Sequence, residues 1–234
     1  MILAIDTCGA VGGVALADDV DATGSAVHLR QLAGKTFSEQ LIEAISEVLT
    51  ESASSLSELA GVVVVHGPGS FTGIRIGLSA AKGLAEALGI PIIAVSRLEL
   101  LARKSSSAAS VALLDAGRAE FFVGVYRPLD GGPFVCQMEG LLKREQVAAL
   151  AADLGLPLVA CEERVALALE LPPSQVFAAP TANDALAVGI ERFRQSEFDD
   201  VATLDANYLR RSETEMLARI AEHAAIRAAE ASVR

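Results

Sequence analysis

Tryptophan is absent from this chain of 234 residues, and aromatic residues make up only 4% of it. Apolar residues still account for 52%, so the core has to be built from aliphatic side chains. No apolar run approaches the roughly 20 residues needed to span a bilayer. The N-terminal segment 1–6 has no basic region and meets an acid at once, which predicts a strand and not a signal peptide. We therefore expect a cytoplasmic protein.

Basic residues are also scarce, since 19 Lys and Arg stand against 30 Asp and Glu, giving a net charge of −11. The acids are spread along the chain and do not form a tail. Such a surface repels phosphate backbones, so the sequence predicts no independent nucleic-acid binding. Any nucleic-acid substrate would have to be held by another protein.

Metal-ligand and nucleophile patterns are missing as well. Cys8, Cys136 and Cys161 have no CxxC spacing, and the three histidines lie far apart. We therefore expect buried thiols, no metal and no cofactor. The chain contains neither the GxSxG elbow of α/β-hydrolases nor the HExxH motif of zinc metalloproteases. No catalytic motif is therefore recognised in the sequence.

Hydrophobic periodicity predicts an α/β chain in which short apolar strands alternate with amphipathic helices. A serine-rich segment at 105–110 is the best candidate for a joint between two lobes. Each half opens with strands joined by an Asp-containing turn, which suggests a duplicated fold. We predict an N-terminal lobe over 1–104, a C-terminal lobe over 105–212, and a helix within 213–234 that packs back on the N-terminal lobe.

Two turns are candidates for a nucleotide cleft. Asp6 and Thr7 follow the first buried strand, and Asp115 occupies the corresponding turn of the second half. In two-lobed ATPases an acid and small residues at such turns approach a metal and phosphates, because only small side chains let the backbone come close. A tight-turn cap is the alternative role for Asp6, and the residues of the turn alone favour it.

The glycine-rich segment 67–73 follows a run of four valines and precedes a helix. It lacks the Gly-Lys-Ser/Thr of a Walker A loop, since Ile74 and Arg75 stand there. Glycine and proline also account for a tight strand-to-helix turn, and Ser70 or Thr72 can cap the helix. We favour this structural role over phosphate binding.

Small residues at Gly73, Gly77, Ala81 and Ala85 form one stripe along the following helix. Glycine in a helix interior costs roughly 1 kcal/mol relative to Ala, so the stripe predicts a close approach of another element. That element is either the chain's own sheet, its own helix 37–51, or a helix of another subunit.

These segments together resemble the TsaB (YeaZ) family. The resemblance centres on 62–95, with Gly-Pro-Gly-Ser-Phe-Thr-Gly-Ile-Arg-Ile-Gly at 67–77. Further matches lie at 3–7, at 115–126 and at 207–210, so the resemblance covers essentially the whole chain. It implies the two-lobed ASKHA fold, which is actin-like and ribonuclease H-like, with mixed sheets flanked by helices.

The resemblance also implies a function in tRNA modification. In the family's scheme TsaD transfers a threonylcarbamoyl group to the adenosine beside the anticodon, and the ATPase TsaE binds the TsaB–TsaD pair. The expected partners are therefore a TsaD-like transferase and a TsaE-like ATPase, with a homodimer when the chain is alone. Transfer RNA would be reached only through the complex, and no membrane would be involved.

One departure separates the chain from the transferase branch. TsaD carries His-x-Glu-Gly-His after the strand that matches 90–95, whereas this chain has Ser-Arg-Leu-Glu-Leu-Leu at 96–101. Both histidines are missing, only Glu99 keeps the register, and Arg97 would repel a metal. The resemblance therefore implies a non-catalytic scaffold or activator. Two further departures are Phe37, where many relatives have His, and Asp-Ala-Gly-Arg at 115–118 in place of Asp-Ala-Arg.

The expected partner face consists of helices 37–51 and 73–88, and Gly77→Leu should abolish association while leaving a folded monomer. An independent ATPase or small-molecule kinase using Asp6 and Asp115 is the main alternative function, and a metallopeptidase is disfavoured by the missing histidines. The residues predicted for the partner face are Leu41, Ile45, Val48, Gly73, Arg75, Gly77, Leu78, Ala81 and Ala85.

Overall fold

A computed structural model describes residues 1–18, 28–33, 36–105, 107, 109–128 and 134–209. The chain divides into two compact units. The first comprises Met1–Leu100 and Pro180–Asn207, and the second comprises Leu101–Ala179 and Tyr208–Arg234. The helix predicted within 213–234 lies outside the described residues.

The order of elements matches the predicted alternation of strands and helices. Among the described residues, no helix is both long enough and apolar enough to cross a membrane. The strands are β1 (Ile2–Asp6), β2 (Val11–Ala17), β3 (His28–Ala33), β4 (Gly61–Val65), β5 (Ile92–Val95), β6 (Ser110–Gly117), β7 (Glu120–Pro128), β8 (Phe134–Lys143) and β9 (Leu158–Ala160). The helices are α1 (Phe37–Glu51), α2 (Phe71–Leu88), α3 (Arg97–Arg103), α4 (Arg144–Leu154), α5 (Glu163–Ala168) and α6 (Ala182–Arg194).

A five-stranded mixed sheet forms the centre of the first unit, in the order β3-β2-β1-β4-β5. Strand β1 pairs antiparallel with β2 and parallel with β4. Both faces of β1 are buried because its side chains alternate between two hydrophobic clusters. Leu3 and Ile5 pack with residues of α1 and α2, whereas Ile2 and Ala4 pack with residues of α6. The carboxyl end of β1 therefore lies in the interior of this unit.

Helix α2 ends at Leu88 as predicted and begins at Phe71, two residues before the predicted start at 73. The Ser70 hydroxyl accepts a hydrogen bond from the Gly73 amide at 3.2 Å, which caps the N-terminus. Gly89 ends the helix in a left-handed conformation with φ of 65°. These two signals are local, and they place α2 directly after the turn that follows β4.

A four-stranded sheet in the order β8-β7-β6-β9 forms the second unit, and α4 and α5 pack on it. The sequence analysis missed β8, because its polar and apolar residues do not alternate regularly. A register shift opposite Val125 and Tyr126 breaks the two-residue period that predicts a strand. The α/β class, with mixed sheets flanked by helices, is confirmed.

Helix α6 belongs to the first unit, whereas we had expected it in the C-terminal lobe 105–212. A Cβ built at Gly189 of α6 would lie 2.1 Å from Val63 Cγ2, so the helix axis comes very close to β4. Ala185 and Leu186 are fully buried in the same cluster as Ile2 and Ala4. Helix α6 packs on the first sheet because its apolar face is buried there, although it follows the second sheet in the chain.

Candidate functional site

Asp6 ends β1 and has no exposed surface. Its Oδ1 accepts a hydrogen bond from the Cys8 amide at 2.9 Å, whereas its buried Oδ2 has no hydrogen-bond partner. Burial raises the pKa of the Asp6 carboxyl above its ordinary value, and the Cys8 amide and the Arg97 charge oppose that rise. The carboxyl therefore caps the turn after β1 from within the core.

Thr7 is held against helix α2. Its hydroxyl donates a hydrogen bond to the Gly73 carbonyl at 2.7 Å, and Thr7 itself is fully buried. A Cβ built at Gly73 would lie 2.0 Å from the Thr7 carbonyl oxygen, and one at Gly77 would lie 2.3 Å from Thr7 Oγ1. Gly73 and Gly77 are thus required by contact with the first turn of the same chain.

The glycine-rich segment 67–73 packs on that turn as well. A Cβ built at Gly69 would lie 2.3 Å from the Cys8 carbonyl oxygen, and that oxygen accepts the Ser70 amide at 2.8 Å. The Gly73 amide is already bound to Ser70 Oγ. Backbone amides at 70 and 73, which a phosphate cradle would offer to a ligand, are therefore bound within the protein.

Arg97 lies against the same turn. It is 6% exposed, its amide donates to the Gly67 carbonyl at 2.7 Å, and its Nη2 would lie 2.9 Å from a Cβ built at Gly9. Its charge lowers the pKa of the Asp6 carboxyl against the larger effect of burial. The only buried acid among the described residues thus has a guanidinium nearby.

Asp115 lies near the end of β6, just before the β6–β7 turn of the second unit. Its Oδ1 accepts the Gly117 amide at 2.8 Å, and its Oδ2 accepts Arg164 Nη1 at 3.1 Å. Its own amide donates to Glu162 Oε2 at 2.5 Å. Asp6 and Asp115 belong to different units, so a cleft formed by the two turns stays a prediction.

The three cysteines differ in exposure. Cys8 is buried and donates its S–H to the Val65 carbonyl at 3.1 Å. Burial, and then the Asp6 charge, raises the pKa of the Cys8 thiol well above its usual value, so the thiol stays protonated. Cys136 is exposed and Cys161 is half-buried, so the expectation of three buried thiols is wrong for these two.

The predicted partner-face residues lie mostly inside the first unit. Leu41, Ile45 and Val48 of α1 and Leu78 of α2 are at most 7% exposed and belong to the core cluster on β1. The small-residue stripe of α2 faces Thr7 and Ile5, as the contacts of Gly77 show, and Ala81 and Ala85 are buried too. The stripe therefore serves the chain's own sheet, and the expected effect of Gly77→Leu has to be corrected from lost association to lost folding.

Other residues of the same helices face outward. Ile42 of α1 is 70% exposed, and Phe71 in the first turn of α2 is 56% exposed. The Arg75 guanidinium stacks on the Phe71 ring at 3.6 Å from its centroid. Gly83 of α2 is exposed, and no atom lies within 4 Å of a Cβ built there. The sequence carried one signal for this face, since Ile42 is an apolar residue outside the buried helical period of α1.

No group of three or more His, Cys, Asp or Glu side chains capable of holding a metal occurs among the described residues. The segment 96–101 contributes Arg97 to this part of the structure. Arg97 is the residue in contact distance of the Gly9 position, and it carries the wrong charge for a metal ligand.

Comparisons with known proteins agree with the motif at 67–77. The family model described as TsaD, tRNA N6-adenosine threonylcarbamoyltransferase, matches residues 29–232. The chain is 33% identical over 135 residues to the tRNA threonylcarbamoyladenosine biosynthesis protein TsaB of Escherichia coli, covering 56% of this chain and 57% of that protein. It is 37% identical over 133 residues to TsaB of Bacillus subtilis, covering 56% of each. The chain thus spans about half the length of the curated relatives it matches.

A solved structure from Pseudomonas aeruginosa, described as similar to peptidase YEAZ, superimposes with a TM-score of 0.71 at 26% identity. The superposition covers 89% of this chain and 99% of the Pseudomonas aeruginosa chain. The chain belongs to the TsaB (YeaZ) family. Within this family, the departure at Phe37 has a structural account: the ring is buried and its Cζ would lie 2.8 Å from a Cβ built at Gly12. Phe37 therefore fills core volume beneath β2.

Proposed function

We propose that this chain is a non-catalytic scaffold subunit in tRNA threonylcarbamoyladenosine biosynthesis, acting in the cytoplasm. It would bind a TsaD-like transferase and a TsaE-like ATPase, pair with a second copy when alone, and meet tRNA through the complex. The names of the TsaB relatives and the TsaD family model support this role.

The observation that carries the proposal is the enclosure of Asp6. A carboxyl with no exposed surface does not offer an oxygen to a bound metal or phosphate, and the amides of Ser70 and Gly73 in the adjacent segment are bound to protein atoms. The positive charge that acts on the Asp6 carboxyl is that of the Arg97 side chain. The same enclosure weighs against an independent ATPase or kinase, which would need Asp6 at the surface of a cleft.

The proposed partner face is the outward side of α1 and α2. Ile42 and Phe71 are large apolar side chains with more than half of their surface exposed. Gly83 leaves open space on α2, although glycine in a helix interior costs roughly 1 kcal/mol relative to Ala. A partner helix that approaches this face closely would account for both features.

The role is tested by reconstitution of tRNA threonylcarbamoylation from the purified proteins of one organism. We expect modified nucleoside, detected by mass spectrometry, only when this chain is present. Modification at the same rate without the chain would overturn the scaffold role. ATP hydrolysis by the chain alone would support the ATPase alternative instead.

The partner face is tested by Ile42→Glu. We expect loss of co-elution with the transferase subunit in size-exclusion chromatography, because a charge buried at an apolar interface is strongly unfavourable. Leu167→Glu is the matched control, since Leu167 on α5 is 72% exposed and lies in the second unit. Both variants should keep the wild-type circular dichroism spectrum. Equal complex formation by the two variants would remove α1 from the interface.

A further inference from the structure

A groove of about 560 Å³ lies within the second unit, where the β6–β7 turn meets the start of α4. Arg118 lines it from the turn, and Lys143 and Arg144 line it from the end of β8 and the first position of α4. All three cations are exposed. Leu141 also lines the groove.

The charge of this groove contrasts with that of the whole chain. Three cations line it against two acids, Glu120 and Glu145, whereas the chain as a whole has 19 cations against 30 acids. Arg144 forms an ion pair with Glu170 at 2.9 Å. In the part of the chain that the structure describes, Arg118 and Lys143 have no ion-pair partner. Arg118 and Lys143 are thus the two cations left for a ligand, beside the two acids of the lining.

The cations stand at positions that local physical chemistry disfavours. Arg118 and Ala119 have φ of 58° and 60°, a conformation that favours glycine. Lys143 and Arg144 lie at the N-terminus of α4, where the helix dipole favours negative charge. The Lys143 amide already donates to Gln146 Oε1 at 2.8 Å, so capping does not require a cation there. Local rules broken together in one place are typical of a functional site.

We propose that this groove contacts the phosphate backbone of tRNA, with Arg118 and Lys143 each neutralising one phosphate. The inference rests on the proposed function, because the complex brings tRNA to a chain that does not attract it alone. A bound phosphate would pair with the exposed cations and complement the dipole of α4. Exposed cations along an open groove suit a backbone contact that carries no sequence information.

The test uses the full complex of this chain with the transferase and ATPase subunits. The double variant Arg118→Gln with Lys143→Gln is compared with Arg164→Gln with Arg194→Gln, which removes the same charge from residues that do not line the groove. Affinity for tRNA is measured by filter binding between about 50 and 200 mM salt. We expect the groove variant to bind roughly ten- to thirtyfold more weakly near physiological salt, with a salt slope lower by about 1.5. The control variant should match the wild type.

The outcomes separate the groove from the scaffold role. Equal tRNA affinity of the groove variant and the control, in complexes that assemble and modify tRNA, would overturn the groove and leave the scaffold role intact. Loss of the ATPase subunit from the groove variant, with unchanged tRNA affinity, would assign the groove to an acidic protein surface and overturn the RNA contact. A wild-type complex that does not assemble would contradict the scaffold role itself.

Discussion

Asp6 and Asp115 lie at or near the carboxyl ends of β1 and β6, the opening strands of the two units, and each accepts a hydrogen bond from the amide two residues further along the chain. Asp6 has no exposed surface, whereas the Asp115 side chain keeps 25% of its surface exposed and pairs with Arg164. The Asp6 turn is covered by glycines of α2 and of the segment before it, while no atom lies within 4 Å of a Cβ built at Gly117. Two similar turns thus have opposite surroundings.

The difference shows that neighbouring elements, and not the turn itself, decide what the acid can do. The first turn is enclosed because Gly73 and Gly77 of α2 pack on Thr7 and Gly69, just before α2, packs on Cys8. The second turn stays open and is followed by Arg118 and Ala119, both with positive φ. The first turn is part of the core of its unit. The second turn contributes Arg118 and Ala119 to the groove that Lys143 and Arg144 also line.

The largest expected effect follows from the glycine that encloses the first turn. Gly73→Ala would place a Cβ 2.0 Å from the Thr7 carbonyl oxygen, so we expect a loss of about 3 kcal/mol in the free energy of unfolding. Gly117→Ala is the matched control in the second turn. It has free space but a φ of 73°, and should cost only about 1 kcal/mol. Urea unfolding monitored by circular dichroism measures both, and equal losses would break the contrast between the turns.

An effect on the pH dependence is expected from the buried carboxyl. The native pKa of Asp6 is raised above the ordinary value of 3.8, so the native state keeps a proton that the unfolded chain has lost. This contribution to stability is complete below that ordinary value and is lost as pH rises through the raised native pKa. Asp6→Asn removes the titrating group, so the free energy of unfolding of the variant should fall less steeply as pH rises. The stability of the variant relative to the wild type should therefore increase with pH.

This difference is measured by urea unfolding of both proteins between about pH 4 and pH 7. An identical pH slope in Asp6→Asn and the wild type would show that the carboxyl does not titrate in the manner its enclosure requires. The enclosure of the first turn would then need another explanation.

The smallest expected effect concerns the open turn. Arg118→Gly replaces a side chain at φ of 58° by the residue that adopts this conformation without strain, so we expect a gain of about 0.5 kcal/mol. Thermal unfolding measures it, with Gly117→Ala as the control of opposite sign. The same variant should weaken tRNA binding by the complex. A loss of stability on Arg118→Gly would show that the Arg118 side chain makes contacts that stabilise the second unit.

Much of the first unit was predictable from local signals. The four valines at 62–65, the cap at Ser70 and the ending at Gly89 define β4 and α2 without reference to distant residues. Strand β8 was missed because a register shift interrupts its period. The residues predicted for the partner face proved to be mostly buried, since a small-residue stripe does not say which element approaches it.

The sequence by itself determined the class of elements, their order, the family motif at 67–77 and the acidic charge, because these depend on periodicity and composition within short windows. Only the tertiary structure shows that Asp6 is enclosed, that α6 packs on the first sheet and that Arg118 and Lys143 line one groove. Each of these depends on contacts between residues far apart in the chain. Their pairing follows from the burial of apolar surface and the close packing of backbones, which no local pattern records.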